Sequence, residues 1–133
     1  MKTFALRLKP DRDLKQALKE FVYLNNIQSG YILTAVGSLK QAKIRFAARS
    51  ETTFFLEKFE IVSLVGTLSL AGIHLHIALA NRDGKMIGGH LDNDCLIYTT
   101  AEIVIGESEN FIFTREVNEQ TGFKELIIMP SFQ

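Results

Sequence analysis

Between Ile61 and Ala80 the chain carries no Asp, Glu, Lys or Arg, a run that as a helix would cross about 30 Å of bilayer. What interrupts that run decides its structure. Ser63, Gly66, Thr67, Ser69, Gly72, His74 and His76 sit among Ile61, Leu64, Leu68, Leu70, Ile73, Leu75, Ile77 and Leu79. Apolar residues alternating with small or polar ones follow the period of a strand, whose successive side chains point to opposite faces. The stretch is expected to be buried β-structure rather than a membrane span, and no membrane partner is expected.

The rest of the chain can be read around that stretch. Thr3 to Leu8 alternates and then meets Pro10, which predicts a first strand. Leu14, Ala17, Leu18, Phe21 and Val22 repeat at helical spacing, and Asp13 with Gln16 three residues on resembles a capping box. One main helix is expected over about residues 13–26, stopped by Asn25, Asn26 and Gly30, with Lys15, Lys19 and Glu20 on a solvated face. From Tyr31 onward the expected elements are strands, among them Ile44–Ala47, Thr53–Leu56, Phe59–Leu64, Ile73–Ala80, Leu96–Ile105 and Phe111–Thr114. Turns are expected at Gly37-Ser38, Gly66, Gly72, Asp83-Gly84, Gly88-Gly89, Gly106 and Gly122. One helix among many strands, with no repeating strand–helix rhythm, predicts an α+β fold with a largely antiparallel sheet. With no linker or repeat, residues 1–133 are expected to form one domain.

Composition narrows the function classes. A 47% hydrophobic chain of this length buries about two thirds of its surface without disulfides or a structural metal. Fifteen Lys and Arg balance fifteen Asp and Glu, which argues against indiscriminate nucleic-acid binding by a monomer. The balance is uneven along the chain: residues 1–50 carry ten basic and three acidic side chains, the remainder five and twelve. Folding is expected to interleave the two halves. The only cysteine, Cys95, fits a reducing compartment and hence the cytoplasm; Lys2 and Arg7 leave too short an apolar run between them for a secretory signal.

All three histidines, His74, His76 and His90, fall within seventeen residues. Two apart in a strand, His74 and His76 share one face, while Ile73, Leu75 and Ile77 point to the other. Asn81 to Lys85 suits a three-residue hairpin loop, a type I turn closed by a left-handed Gly84. Asn81 then pairs with Lys85, and counting back sets His76 opposite His90 with His74 as the diagonal neighbour. A two-residue loop, or a bulge at Gly88-Gly89, would send His90 to the other face. In the first register three imidazoles can meet a divalent ion and leave a fourth position open; zinc is the default, with nickel, iron and copper also served by imidazole. Strand histidines hydrogen-bonded in a polar pocket are the plainer alternative. Asp92 and Asp94 are near enough in sequence to be a fourth ligand or to support one.

Other chemistry is sparse. Cys95 reads as an inert buried thiol. Glu60, Asp92 and Glu102 are the candidate general bases, although Glu102, inside an apolar strand, reads first as a buried carboxylate satisfied by backbone or a neighbouring subunit. No catalytic residue is assigned. Phosphate loops, nucleophile elbows and paired cysteines are absent.

One pattern runs through these residues. Gly37-Ser38-Leu39, Phe59 to Thr67, His74-Leu75-His76, Asp83-Gly84, Gly88-Gly89-His90-Leu91 and Thr99-Thr100-Ala101-Glu102 occur in this order. In that order and spacing the chain resembles the PPC (plants and prokaryotes conserved) domain family, in its stand-alone prokaryotic form, over essentially its whole length. The resemblance implies an α+β fold assembled as a homotrimer, a metal held by His74, His76 and His90, and a role in DNA association or regulation. The Arg-Gly-Arg-Pro core of an AT-hook is absent, the only prolines being Pro10 and Pro130, and Asp94 stands where glycine is expected before Cys95. Two function classes follow: a trimeric DNA-binding or regulatory module, and, alternatively, a metal-dependent small-molecule hydrolase or sensor using the same histidines.

Overall fold

The computed structural model describes residues 1–132. Its elements are β1 (Lys2–Leu8), α1 (Leu14–Leu24), β2 (Gly30–Arg45), β3 (Thr53–Phe55), β4 (Phe59–Ser69), β5 (Gly72–Asn81), β6 (Met86–Leu91), β7 (Leu96–Glu107), β8 (Phe111–Val117) and β9 (Lys124–Pro130). The fold is α+β and its strand pairings are antiparallel, as expected.

The helix starts where its cap predicts. The Gln16 amide donates to the Asp13 carboxylate at 3.1 Å, giving one of the orphan N–H groups of the first turn a partner. Leu14, Ala17, Leu18 and Val22 face inward. They join Ile27, Ile97, Ile103 and Ile105 in the core, and Phe21 meets the edge of Phe4 with centroids 5.9 Å apart. Lys19 and Glu20 are exposed and Lys15 is half-buried.

Seven strands form one sheet in the order β1-β7-β2-β4-β5-β6, with β3 on β2. The basic first half thus interleaves with the acidic second half, since β7 lies between β1 and β2. Sixteen-residue β2 carries register shifts after Ile32, Gly37 and Leu39. Such bulges bend a strand, and β2 bends far enough for its end to pair with β6, Ile44 opposite Leu91 and Arg45 opposite His90. Strands β2, β4, β5 and β6 therefore close into a ring around Ile44, Ile61, Leu64, Leu68, Leu75, Ile77, Leu79 and Leu91. The run from Ile61 to Ala80 lies in the β4–β5 hairpin, which makes half the wall of this ring. No helix among the described residues is long and apolar enough to cross a membrane.

Four of the expected turns are strand interior instead. Gly37, Gly66, Gly88-Gly89 and Gly106 lie within β2, β4, β6 and β7. They are glycines because neighbouring backbone or side chains come too close for a Cβ: one at Gly37 would strike the Thr100 carbonyl, one at Gly66 the His74 carbonyl. A Cβ at Gly89 would lie 2.6 Å from the Arg45 oxygen. Asp94 adopts φ 70°, so the place where glycine was expected does require a left-handed residue, which Asp tolerates better than most. Strand β9 went unrecognised in the sequence. It pairs with β8 as a separate two-stranded sheet, tethered where the Phe113 amide donates to the Gln28 carbonyl at 2.9 Å.

Candidate metal centre

The turn chemistry at Asn81 sets the register of the site. The Asn81 amide donates to the Lys85 carbonyl and the Gly84 amide to the Asn81 carbonyl, each at 2.9 Å, while the Asn81 side chain accepts from Asp83 and Lys85. Gly84 takes φ 77°. This is the three-residue loop, and the ladder above it runs without a bulge from Ala80 opposite Met86 to His76 opposite His90.

Leu75, Ile77 and Leu91 are buried, so His74, His76 and His90 stand on the outer face of the ring. Their ring centroids are 5.1 Å (His74–His76), 5.5 Å (His74–His90) and 5.9 Å (His76–His90) apart. One ligating nitrogen from each lies within 4.8 Å of the other two. Nitrogens so placed could hold one metal ion.

Two further observations fit a metal. His90 Nδ1 is buried and has no hydrogen-bond partner, a state that a native structure rarely leaves without a ligand. Burial first, then the Arg45 guanidinium and Lys15, hold the His90 imidazole down to about 4. Burial, then His76 and Arg115, lower His74 as well. Both rings therefore keep a free lone pair at neutral pH, the form in which imidazole ligates.

The shift at His90 has a consequence for the metal-free protein. Its folded pKa lies below that of an unfolded histidine, so between about 6.5 and about 4 the unfolded chain binds a proton that the native chain does not. Stability contributed here is present above that window and falls as pH drops through it. Denaturant melts of chelator-treated protein at pH 7, 5.5 and 4 are expected to show a falling midpoint, with His90→Gln flattening the trend. An NMR titration should place the His90 midpoint well below that of an exposed histidine.

The carboxylates behave differently from expectation. Asp92 accepts from the Asn93 amide and Asp94 lies 3.7 Å from the Lys43 ammonium; neither joins the histidine cluster. Glu102 is exposed on the outer sheet face rather than buried, and Glu60 is exposed on β4. Cys95 is buried as expected. Its Sγ accepts from the Lys43 amide and donates to the Lys43 carbonyl, and burial pushes the thiol up to about 11, which makes it a poor nucleophile.

Two residues beside the cluster were not legible as site residues. Arg45 faces His90 directly across the β2–β6 ladder. Arg115, from β8, donates through Nη2 to Thr67 Oγ1 at 2.9 Å, and Thr67 is the cross-strand partner of His74. Both arginines, with His74 and His90, line a cavity of about 420 Å³. Only the alternation in Ile44-Arg45-Phe46 hinted that Arg45 shares a face with the polar side of the sheet; nothing local marks Arg115.

Comparison with known proteins matches residues 1–109 to the Plants and Prokaryotes Conserved (PCC) domain. A curated relative, the bifunctional protein GlmU of Synechococcus sp. (strain JA-3-3Ab), is 45% identical over 128 residues, 96% of this chain. The chain spans only 21% of that relative's length. Among solved structures, a hypothetical protein from Salmonella enterica is 37% identical with a TM-score of 0.95, covering 98% of this chain and 95% of that one. The metal-containing protein AF0104 from Archaeoglobus fulgidus is 28% identical with a TM-score of 0.79, covering 96% and 94%.

Proposed function

The chain belongs to the Plants and Prokaryotes Conserved (PCC) domain family, and on that premise we propose that it is a single-domain, metal-binding regulatory module. In this reading His74, His76 and His90 hold one divalent ion, zinc first, and a small molecule is recognised beside it. The observation that carries the reading is the convergence of all three histidines of the chain on one face, within 4.8 Å, with His74 and His90 lining a cavity. The metal content of AF0104, a relative of the same fold, supports it.

Each strand has its part. Strand β5 supplies two ligands from one face, β6 supplies the third, and the ladder between them fixes their spacing. A bound divalent ion supplies positive charge and an open coordination position. The protein keeps His74 and His90 uncharged and ready to ligate.

The assembly is a homotrimer in this reading, as the family resemblance implies. Val36, Val62 and Val65, exposed on strands β2 and β4, give an apolar strip that a second copy can cover. Because Val65 pairs with His76, such contacts would reach the edge of the histidine site. A cytoplasmic location agrees with the free buried thiol.

DNA association is the second role the family suggests. It needs a basic surface made by the trimer, since Arg12, Lys40 and Lys43 are occupied by ion pairs to Glu20, Asp11 and Asp94.

Elemental analysis of protein purified without a histidine tag, coupled to light scattering on a sizing column, tests the reading. The expected result is about one divalent metal per chain in a particle of three chains. A metal-free preparation that also fails to take up zinc would overturn the metal site. A monodisperse monomer would overturn the trimer.

A further inference from the structure

We propose that the cavity beside the histidines binds a small organic oxyanion, a carboxylate or phosphate on a compact apolar body, with its charged group held between Arg45 and Arg115. This names the ligand class for the small-molecule site proposed above and rests on that reading of the histidine cluster.

Position comes first. Arg45 is the cross-strand neighbour of His90, and Arg115 is bonded to the cross-strand neighbour of His74. The two guanidiniums therefore flank the histidines from opposite sides. Facing residues of an antiparallel ladder start about 5 Å apart at Cβ, so a group lying between the arginines also lies against the imidazoles.

Charge comes second. Neither guanidinium has a carboxylate within ion-pair distance among the described residues, although Arg12, Lys40 and Lys43 each have one. Lys124 adds a third cation to the wall, and among the described residues Glu125 is the only carboxylate on it. Two guanidiniums without a carboxylate partner on one cavity wall make its potential positive, and an ion on the histidines would deepen it.

Hydrogen-bonding capacity agrees. A guanidinium has five N–H donors in a planar fork suited to bidentate oxyanions. Arg45 gives Nη1 to the Arg49 carbonyl at 3.3 Å. Arg115 gives Nη1 to the Lys124 carbonyl at 3.4 Å and Nη2 to Thr67. Other donors on both forks have no protein partner among the described residues. These bonds also hold the arginines in place before a ligand arrives, which lowers the ordering cost of binding.

Shape completes the case. Ile73 and Phe123 give the cavity apolar wall, and about 420 Å³ is within the usual range for a small-molecule site. Arg115, Phe123 and Lys124 come from the β8–β9 hairpin, beyond the residues matched to the family domain. The histidines and Arg45 lie within the matched residues 1–109, and the hairpin adds Arg115 to them.

Calorimetry on the zinc-loaded 133-residue chain tests this with phenyl phosphate, benzoate and neutral benzyl alcohol. At least one charged probe is expected to bind about 10-fold or more tighter than benzyl alcohol, and the tighter of the two identifies the headgroup. Arg45→Gln and Arg115→Gln are each expected to weaken that probe by about 10-fold or more, with zinc content unchanged. Arg82→Gln, on the β5–β6 turn, should bind like the parent. If Arg115→Gln loosens the hairpin, Arg45→Gln stands as an independent arm because β2 lies within the main sheet. Equal binding of charged and neutral probes, or parental affinity in Arg45→Gln, overturns the proposal. Arginine-dependent binding by a chain that takes up no zinc supports the oxyanion site and overturns the metal reading alone.

Discussion

A His76→Ala protein is expected to fold normally and to lose its metal. His76 is exposed, whereas its neighbours Leu75 and Ile77 carry the core contacts of β5, so truncation opens no cavity. Surface truncations of this kind stay within about 0.5 kcal/mol. The metal faces a far larger change. Removing a group that merely orients a ligand costs 10–100-fold in affinity, so removing a ligand should cost more than about 100-fold. Elemental analysis after passage over a weak chelator should find less than about a tenth of the parental metal, while far-UV circular dichroism and the thermal midpoint stay put. Full metal content in this variant would show that the ion sits elsewhere.

Gly66→Ala is expected to damage the fold itself. Gly66 lies on β4 at φ 153°, opposite Leu75, and a Cβ there would collide with the His74 carbonyl oxygen and sit 2.9 Å from its carbon. Backbone cannot step aside as a side-chain tip can. The β4–β5 ladder would have to open beside His74 and His76, with an expected loss of about 3 kcal/mol or more and a fall in thermal midpoint of roughly 10 °C. Gly84→Ala is the control. Its φ of 77° is strained for alanine, yet nothing lies within 4 Å of the new Cβ, so only about 1–2 kcal/mol is expected. Differential scanning calorimetry on the pair separates steric collision from backbone preference. A midpoint for Gly66→Ala equal to that of Gly84→Ala would mean the strands can move apart at little cost.

These glycines also show where sequence reading stops. The helix was legible because its signals are local: a cap at Asp13 and an apolar stripe from Leu14 to Val22. The β5–β6 register was legible for the same reason, because Asn81 and Gly84 specify one loop and the loop specifies which histidines face each other. Gly37, Gly66 and Gly88-Gly89 were misread as turns because the demand for glycine there comes from another strand's backbone, which no local pattern announces. Strand β9 was missed behind the turn residues around Gly122, with Pro130 at its end. Nearness in sequence misled at Asp92 and Asp94, which are a few residues from His90 and outside its cluster. Arg45 and Arg115 failed in the opposite sense, since each reaches the histidines only through a long-range pairing.

The closing of β2 onto β6 implies an order of assembly. His76 and His90 are brought together by a hairpin with a three-residue loop, and isolated hairpins form in about 1–10 μs. Arg45 reaches His90 only after the chain between residues 45 and 90 has been brought round, a non-local closure that folds on slower timescales. Arg115 arrives later along the chain still, when the C-terminal hairpin docks on Thr67. On those timescales the facing imidazoles can meet before Arg45 and Arg115 are in place beside them. A metal met at that stage would be captured by a hairpin with no anion selectivity, and specificity would be acquired last.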